Sequence, residues 1–152
     1  MEVTTLCYIE KDNKYLMLNR TKKKNDINEG KWIGVGGHIE EGESPYDCII
    51  REVYEETGLR VSKVKLRGHL TFVQNNNFTE YIWLFTASEY EGELKECDEG
   101  VLKWIPKDEV FNLNLWEGDK VFLKYLDEKK EFFSLKLEYM RDKLVNITVE
   151  DC

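Results

Sequence analysis

Between Ser44 and Gly58 the chain carries both end signals of one helix. Ser44 stands as N-cap, Pro45 suits the first helical position, Asp47 lies three residues after the cap, and Gly58 follows Thr57 as a C′ glycine. On a helical wheel Glu52, Glu55 and Glu56 fall within about 100° of one another, with Tyr46, Ile50, Val53 and Thr57 on the opposite side. The expected helix has an apolar back and a carboxylate front. Like charges at i, i+3 and i+4 cost roughly a few tenths of a kcal/mol per pair, so the arrangement needs an offset. Two readings stay open: a solvated face with Arg51 screening Glu55 one turn later, or a site for a hard divalent cation. Oxygen ligands favour Mg²⁺ or Mn²⁺ over zinc, and Mg²⁺ keeps positions for water and phosphate oxygens.

The spacing around the helix shifts the balance between them. Gly37 is followed after five residues by Glu43, and after seven more by Arg51-Glu52-Val53-Tyr54-Glu55-Glu56-Thr57-Gly58-Leu59. This segment resembles the Nudix box, G-x5-E-x7-R-E-U-x-E-E-x-G-U with U aliphatic, at every specified position. For residues of these frequencies a chance match has a probability on the order of 10⁻⁶ or lower. The resemblance implies an α+β chain with the Nudix fold, an α/β/α sandwich around a mixed sheet. It also implies hydrolysis of a diphosphate linkage by an activated water. Carried over residue by residue, it makes Glu52, Glu55 and Glu56 metal-binding carboxylates, the Gly36 carbonyl a backbone ligand, Arg51 their orienting partner and Glu43 a support behind them. Glu99 matches the place of a further acidic ligand or base, the alternative being a loop carboxylate beside Glu96 and Asp98. One of Glu52, Glu55, Glu56 or Glu99 then takes the proton.

The rest of the chain reads as a sheet built around that helix. Val3 to Ile9 and Lys14 to Asn19 are strand-like runs about a Lys11-Asp12-Asn13 turn, and Thr21 to Gly30 is polar and loop-like. Trp32 to Gly37 is apolar but holds Gly34, Gly36 and Gly37, which suits backbone that approaches something closely. Val64 to Val73 and Tyr81 to Ala87 flank a Gln74-Asn75-Asn76-Asn77 turn, and Val101 to Ile105 is a short strand before Pro106. Gly118 to Lys129 has Val121, Phe122 and Tyr125 spaced for one helical face. Phe133 to Tyr139 and Leu144 to Val149 form a closing hairpin.

Composition bounds what such a fold does. Residues 1–152 suit a single domain. Cys7, Cys48, Cys97 and Cys152 lack C-x-x-C spacing and only two histidines are present, which argues against a zinc site or a disulfide framework and for a reducing cytoplasm. No apolar run is long enough for a membrane span, and a soluble, untargeted protein is expected. A formal net charge of −8 with pI near 4.9 argues against a surface made for polymeric nucleic acid. The expected partner is a small nucleotide, with neither a DNA polymer nor a membrane, and the chain acts as a monomer or weak homodimer.

Beyond the box the chain is similar to the MutT-like oxidised-purine nucleoside triphosphate hydrolases. That likeness rests on Gly30-Lys31-Trp32, Gly34-Val35-Gly36-Gly37, Asp98-Glu99, Trp104, Leu115-Trp116, Asp119 and the hairpin after Lys129-Lys130. It implies a nucleoside triphosphate such as 8-oxo-dGTP as substrate, with Trp116 stacking on the base and Asp119 reading its edge. Thr5, Arg20, Ile33, Val35, Gly37 and His38 fall at positions lining the substrate site. Thr5 reads equally as strand packing, Arg20 as a surface charge, Trp116 as core, and His38 as a loop histidine near phosphate rather than a metal ligand. Three positions depart from the subgroup: Ile33 replaces its base-reading Asn, Gly118 one of its two acids, and His38 its Lys after the Gly-Gly pair. Ile33 removes a donor and an acceptor. Other substrates consistent with the box are a sugar nucleotide, a dinucleotide or a capped RNA end, and a nucleotide sensor without turnover is the reading from another class.

Overall fold

The structure is a computed structural model that describes residues 1–21, 28–128 and 131–150. Most of the polar run expected between Thr21 and Gly30, the last expected helical residue Lys129, Lys130 and Cys152 lie outside the described residues. In chain order the elements are β1 (Glu2–Lys11), β2 (Lys14–Asn19), β3 (Trp32–Ile33), α1 (Pro45–Thr57), β4 (Arg60–Gln74) and β5 (Phe78–Glu91). They continue with β6 (Val101–Pro106), a 3₁₀ turn (Val110–Asn112), α2 (Glu117–Glu128), β7 (Phe133–Met140) and β8 (Lys143–Glu150). This is the mixed sheet with two helices that the box implied. The strands run β3-β2-β1-β5-β4-β7-β8, with β6 on the other edge of β2. The β1/β5 and β4/β7 pairs are parallel, and β4/β5 and β7/β8 are antiparallel. Asp12 and Asn13, both at positive φ, close the β1–β2 hairpin as Asn and Asp do most readily in a two-residue turn.

Alternation along the strands makes the layers. In β1, Cys7 and Ile9 join Ile49 and Val53 of α1 in one buried cluster, whereas Tyr8 joins Phe122 and Leu123 of α2 in the other. Leu16 and Leu18 of β2 fall with α1, and Tyr15 and Met17 with α2. Each fully buried Leu, Ile or Val contributes about 1.5–3 kcal/mol, so both faces of the sheet are energetically committed to a helix.

The helix itself corrects the wheel. Its capping box is complete: Ser44 Oγ accepts from Asp47 N–H at 3.0 Å, Asp47 accepts from Ser44 N–H at 3.0 Å, and Gly58 at φ 81° ends it. The buried side, however, is Cys48, Ile49, Val53 and Thr57, while Tyr46 and Ile50 are exposed. The cause is a neighbouring loop. The Cys48 thiol lies 3.4 Å from the His38 carbonyl oxygen, so the loop after Gly37 covers the flank that also carries Glu52 and Glu56. The carboxylate face therefore points partly inward.

Candidate functional site

The loop between β3 and α1 lies along the edge of β1. Cys7 and Val35 exchange both backbone hydrogen bonds, Thr5 N–H donates to the Gly37 carbonyl at 2.8 Å, and the Thr5 hydroxyl donates to the same oxygen at 3.2 Å. Two glycines make this approach possible. A Cβ on Gly36 would stand 2.0 Å from the Thr5 carbonyl oxygen, and one on Gly37 would stand 2.5 Å from the Glu52 carboxylate. Backbone and the α1 carboxylates thus meet without intervening side chains.

One guanidinium organises the flank of α1. Arg51 donates to Glu43 at 2.6 and 2.9 Å, to Glu52 at 2.7 Å, to Glu55 at 3.3 Å and to the His38 carbonyl at 3.2 Å. Its hydrogen bonds, with a backbone N–H from Glu40, hold the Glu43 carboxyl down at about 2. The side chain of Glu52 is 17% exposed against 56% for Glu55, so the former turns inward and the latter stays on the flank. Glu56 accepts from Gly36 N–H at 3.3 Å, and Arg20 donates to Glu99 at 3.3 Å.

These carboxylates are poorly balanced by protein alone. Burial, then the charges of Glu99 and Glu52, pushes Glu56 up to about 8; burial also raises Glu52, against the pull of Arg51. Oxygen donors crowded with excess negative charge fit a hard divalent cation. Among the described residues no three His, Cys, Asp or Glu side chains close into a cage. A cation here would need backbone, water or phosphate oxygens for part of its shell. Glu52, Glu56 and Glu99 border one cavity, with Gly36 beside them, and are the groups that would hold it.

The carboxylates open onto a cavity of about 760 Å³ running between β1 and α2. Thr5, Arg20, Ile33, Gly36, Gly37, His38, Trp116 and Asp119 all border it, as do Glu52, Glu56 and Glu99. Val35 does not. Its side chain is fully buried in the α1 cluster, because the residue that trades backbone bonds with Cys7 must point to the same side as Cys7. Glu55 and Arg51 also stand off the cavity wall: Arg51 reaches it through Glu52 and the His38 carbonyl, and Glu55 through Arg51. His38 is an exposed loop histidine 3.1 Å from Glu2.

The far end is aromatic. Trp116 is 6% exposed, edge-on to Phe72 and Tyr139, with its indole N–H donated to Asn28 at 2.8 Å and the Lys31 ammonium 4.9 Å from the ring centre. The indole is therefore a packed wall with one face under a lysine, rather than a free stacking plate. Desolvation, with a contribution from Glu80, pushes the Asp119 carboxyl up to about 7 against the charge of Lys31. Gly118 has a reason of its own: its N–H donates to the Tyr139 hydroxyl at 2.5 Å, and a Cβ would sit 2.6 Å from that oxygen. Tyr139 thus occupies the space a second acid would need. Sequence reasoning passed over Tyr139, Phe72 and Glu80, although Glu80 was detectable as a charge sharing strand parity with Ile82 and Leu84.

Comparison with known proteins gives the same outline. The NUDIX domain family matches residues 2–126. An uncharacterized Nudix hydrolase of Bacillus subtilis, YvcI, is 31% identical over 131 residues, 83% of this chain and 79% of that one. An oxidized purine nucleoside triphosphate hydrolase of Mus musculus is 32% identical over 112 residues, 72% of this chain and 71% of that one. A solved Mutator MutT protein of Bacillus halodurans superposes with a TM-score of 0.89 at 29% identity, covering 99% of this chain and 98% of the other. Among the described residues no helix is long and apolar enough to cross a membrane.

Proposed function

Because this chain belongs to the Nudix family and is a Nudix pyrophosphohydrolase, we propose that it cuts a nucleoside triphosphate, an oxidised purine nucleotide among its substrates, to the monophosphate and pyrophosphate. The observation that carries this reading is the single cavity with the Glu52, Glu56 and Glu99 carboxylates at one end and an aromatic, acid-bearing wall at the other. A triphosphate and a base are the two halves such a cavity separates.

A divalent cation, Mg²⁺ or Mn²⁺ by the donor set, supplies charge neutralisation of phosphate oxygens and a lowered pKa for the attacking water. The chain's own groups do the rest. Arg51 fixes the direction of Glu52, and Gly36 N–H fixes Glu56. Water adds to a phosphorus of the α,β-phosphate bridge, the bridging phosphorus–oxygen bond breaks so that monophosphate and pyrophosphate separate, and a carboxylate of the Glu52, Glu56 and Glu99 group accepts the water's proton. Arg20, held by Glu99 at the same end, offers positive charge to the phosphates. Ile33 borders the cavity without a hydrogen-bonding group, so discrimination between oxidised and normal guanine is modest.

The test is a substrate panel with product identification after EDTA treatment and single-metal add-back. Activity returns with Mg²⁺ or Mn²⁺ and the products are a nucleoside monophosphate and pyrophosphate. Restoration by Zn²⁺ alone, or turnover confined to sugar nucleotides or dinucleotides, contradicts the proposal.

Asp119→Asn is expected to reorder the base ranking in competition kinetics among 8-oxo-dGTP, dGTP, dATP and dCTP, since an amide exchanges an acceptor for a donor at the base edge. An unchanged ranking with unchanged KM assigns Asp119 to the scaffold of α2.

A further inference from the structure

Building on the nucleotide reading above, we propose that Glu80 is a specificity-determining residue that accepts the N–H donors of a guanine-type base edge from the sheet floor, facing a base that Asp119 meets from α2. Glu80 lies on β5 at the parity of Ile82 and Leu84, and Ile82 and Leu84 pack into the α2 cluster. Its cross-strand neighbours are Glu2 on β1 and Phe72 on β4, and Phe72 is the ring that meets Trp116 and Tyr139. The carboxylate therefore stands on the floor of the aromatic end of the cavity.

A carboxylate is an expensive occupant of that floor. Burial raises its proton affinity and the Glu2 charge adds to this, against the Thr4 hydrogen bond and the charge of His38. One oxygen, Oε2, accepts from the Thr4 hydroxyl at 2.8 Å; among the described residues no hydrogen bond to Oε1 is present. Leu or Met would fill the same place without the desolvation, so packing gives no reason for Glu. Thr4 leaves lone pairs on both oxygens, and a carboxylate with that capacity suits adjacent N–H groups. Guanine offers two side by side, N1–H and the 2-amino group. Hypoxanthine offers only N1–H, and uracil sets its single N–H between carbonyl oxygens that a carboxylate repels. The same floor therefore favours guanine-type bases in order of their donors.

Equilibrium titration with GMP, IMP and UMP, followed by calorimetry on wild type and Glu80→Gln, tests this without requiring turnover. Wild type is expected to bind GMP about tenfold or more tightly than IMP, and UMP weakest. In Glu80→Gln, which keeps the size and the Thr4 contact, the GMP preference is expected to shrink to within about threefold, with the melting temperature nearly unchanged. Glu80→Met serves the same purpose if the amide variant folds poorly. A GMP/IMP ratio that is absent in wild type, or unchanged in the variants, overturns the assignment. Failure here is separable from failure of the proposed reaction. Triphosphate hydrolysis with a ranking untouched by Glu80→Gln removes only the role of Glu80, whereas Glu80-dependent GMP binding without hydrolysis removes only the reaction.

Discussion

Glu52→Gln and Glu56→Gln are each expected to lower turnover by at least about 10²-fold while leaving the fold intact. Both side chains border the cavity and neither belongs to an apolar cluster, so an amide of the same shape changes charge rather than packing. The buried, mutually repelling carboxylates are where a cation and a proton acceptor are both needed. Glu55→Gln is expected to lose less, because its carboxylate sits on the exposed flank and meets the site through Arg51. Pyrophosphate release measures turnover and circular dichroism checks the fold. Wild-type rates in both Glu52→Gln and Glu56→Gln would falsify the site. Equal losses at all three glutamates place the cation further out on the helix than the cavity suggests.

This contrast marks where the sequence was informative and where it was not. The caps of α1, the hairpin turns and the box are local patterns, and Ser44, Asp47 and Gly58 do in space what their spacing announces. The direction in which the carboxylates face is not local. It depends on a loop that pairs with β1 from some thirty residues away, which turned Cys48 inward and left Tyr46 and Ile50 in solvent. The side that Val35 faces is non-local for the same reason, since the pairing with Cys7 sets it. Arg67 is a further case. It lies at the bulge between Leu66 and Gly68 and donates to the Leu126 carbonyl in the last turn of α2, a contact that no spacing in the chain encodes. The Glu80 signal was visible as a parity violation in β5, but its meaning required knowing which face α2 covers.

Gly36→Ala and Gly37→Ala are expected to fail in different ways, although they are adjacent and chemically identical changes. At Gly36 the added methyl meets the Thr5 carbonyl oxygen at 2.0 Å, with further β1 backbone atoms inside 3 Å. Backbone on both sides cannot step aside without breaking the Thr5–Gly37 and Cys7–Val35 bonds, so the loop must leave β1. The expected cost is about 3 kcal/mol or more, seen as a lower urea midpoint at an unchanged slope. At Gly37 the nearest atoms the methyl meets are those of the Glu52 carboxylate, at 2.5 Å, the far end of a side chain that can swing away. Stability then changes little, but Glu52 is displaced by about an ångström, and misplacement of that size in a catalytic group costs on the order of 10²-fold in rate. The pair thus separates holding the loop from aiming the carboxylate. An unaltered urea midpoint in Gly36→Ala removes the loop-to-β1 packing from the account. Full turnover in Gly37→Ala shows that the position of Glu52 against the loop does not matter for the reaction.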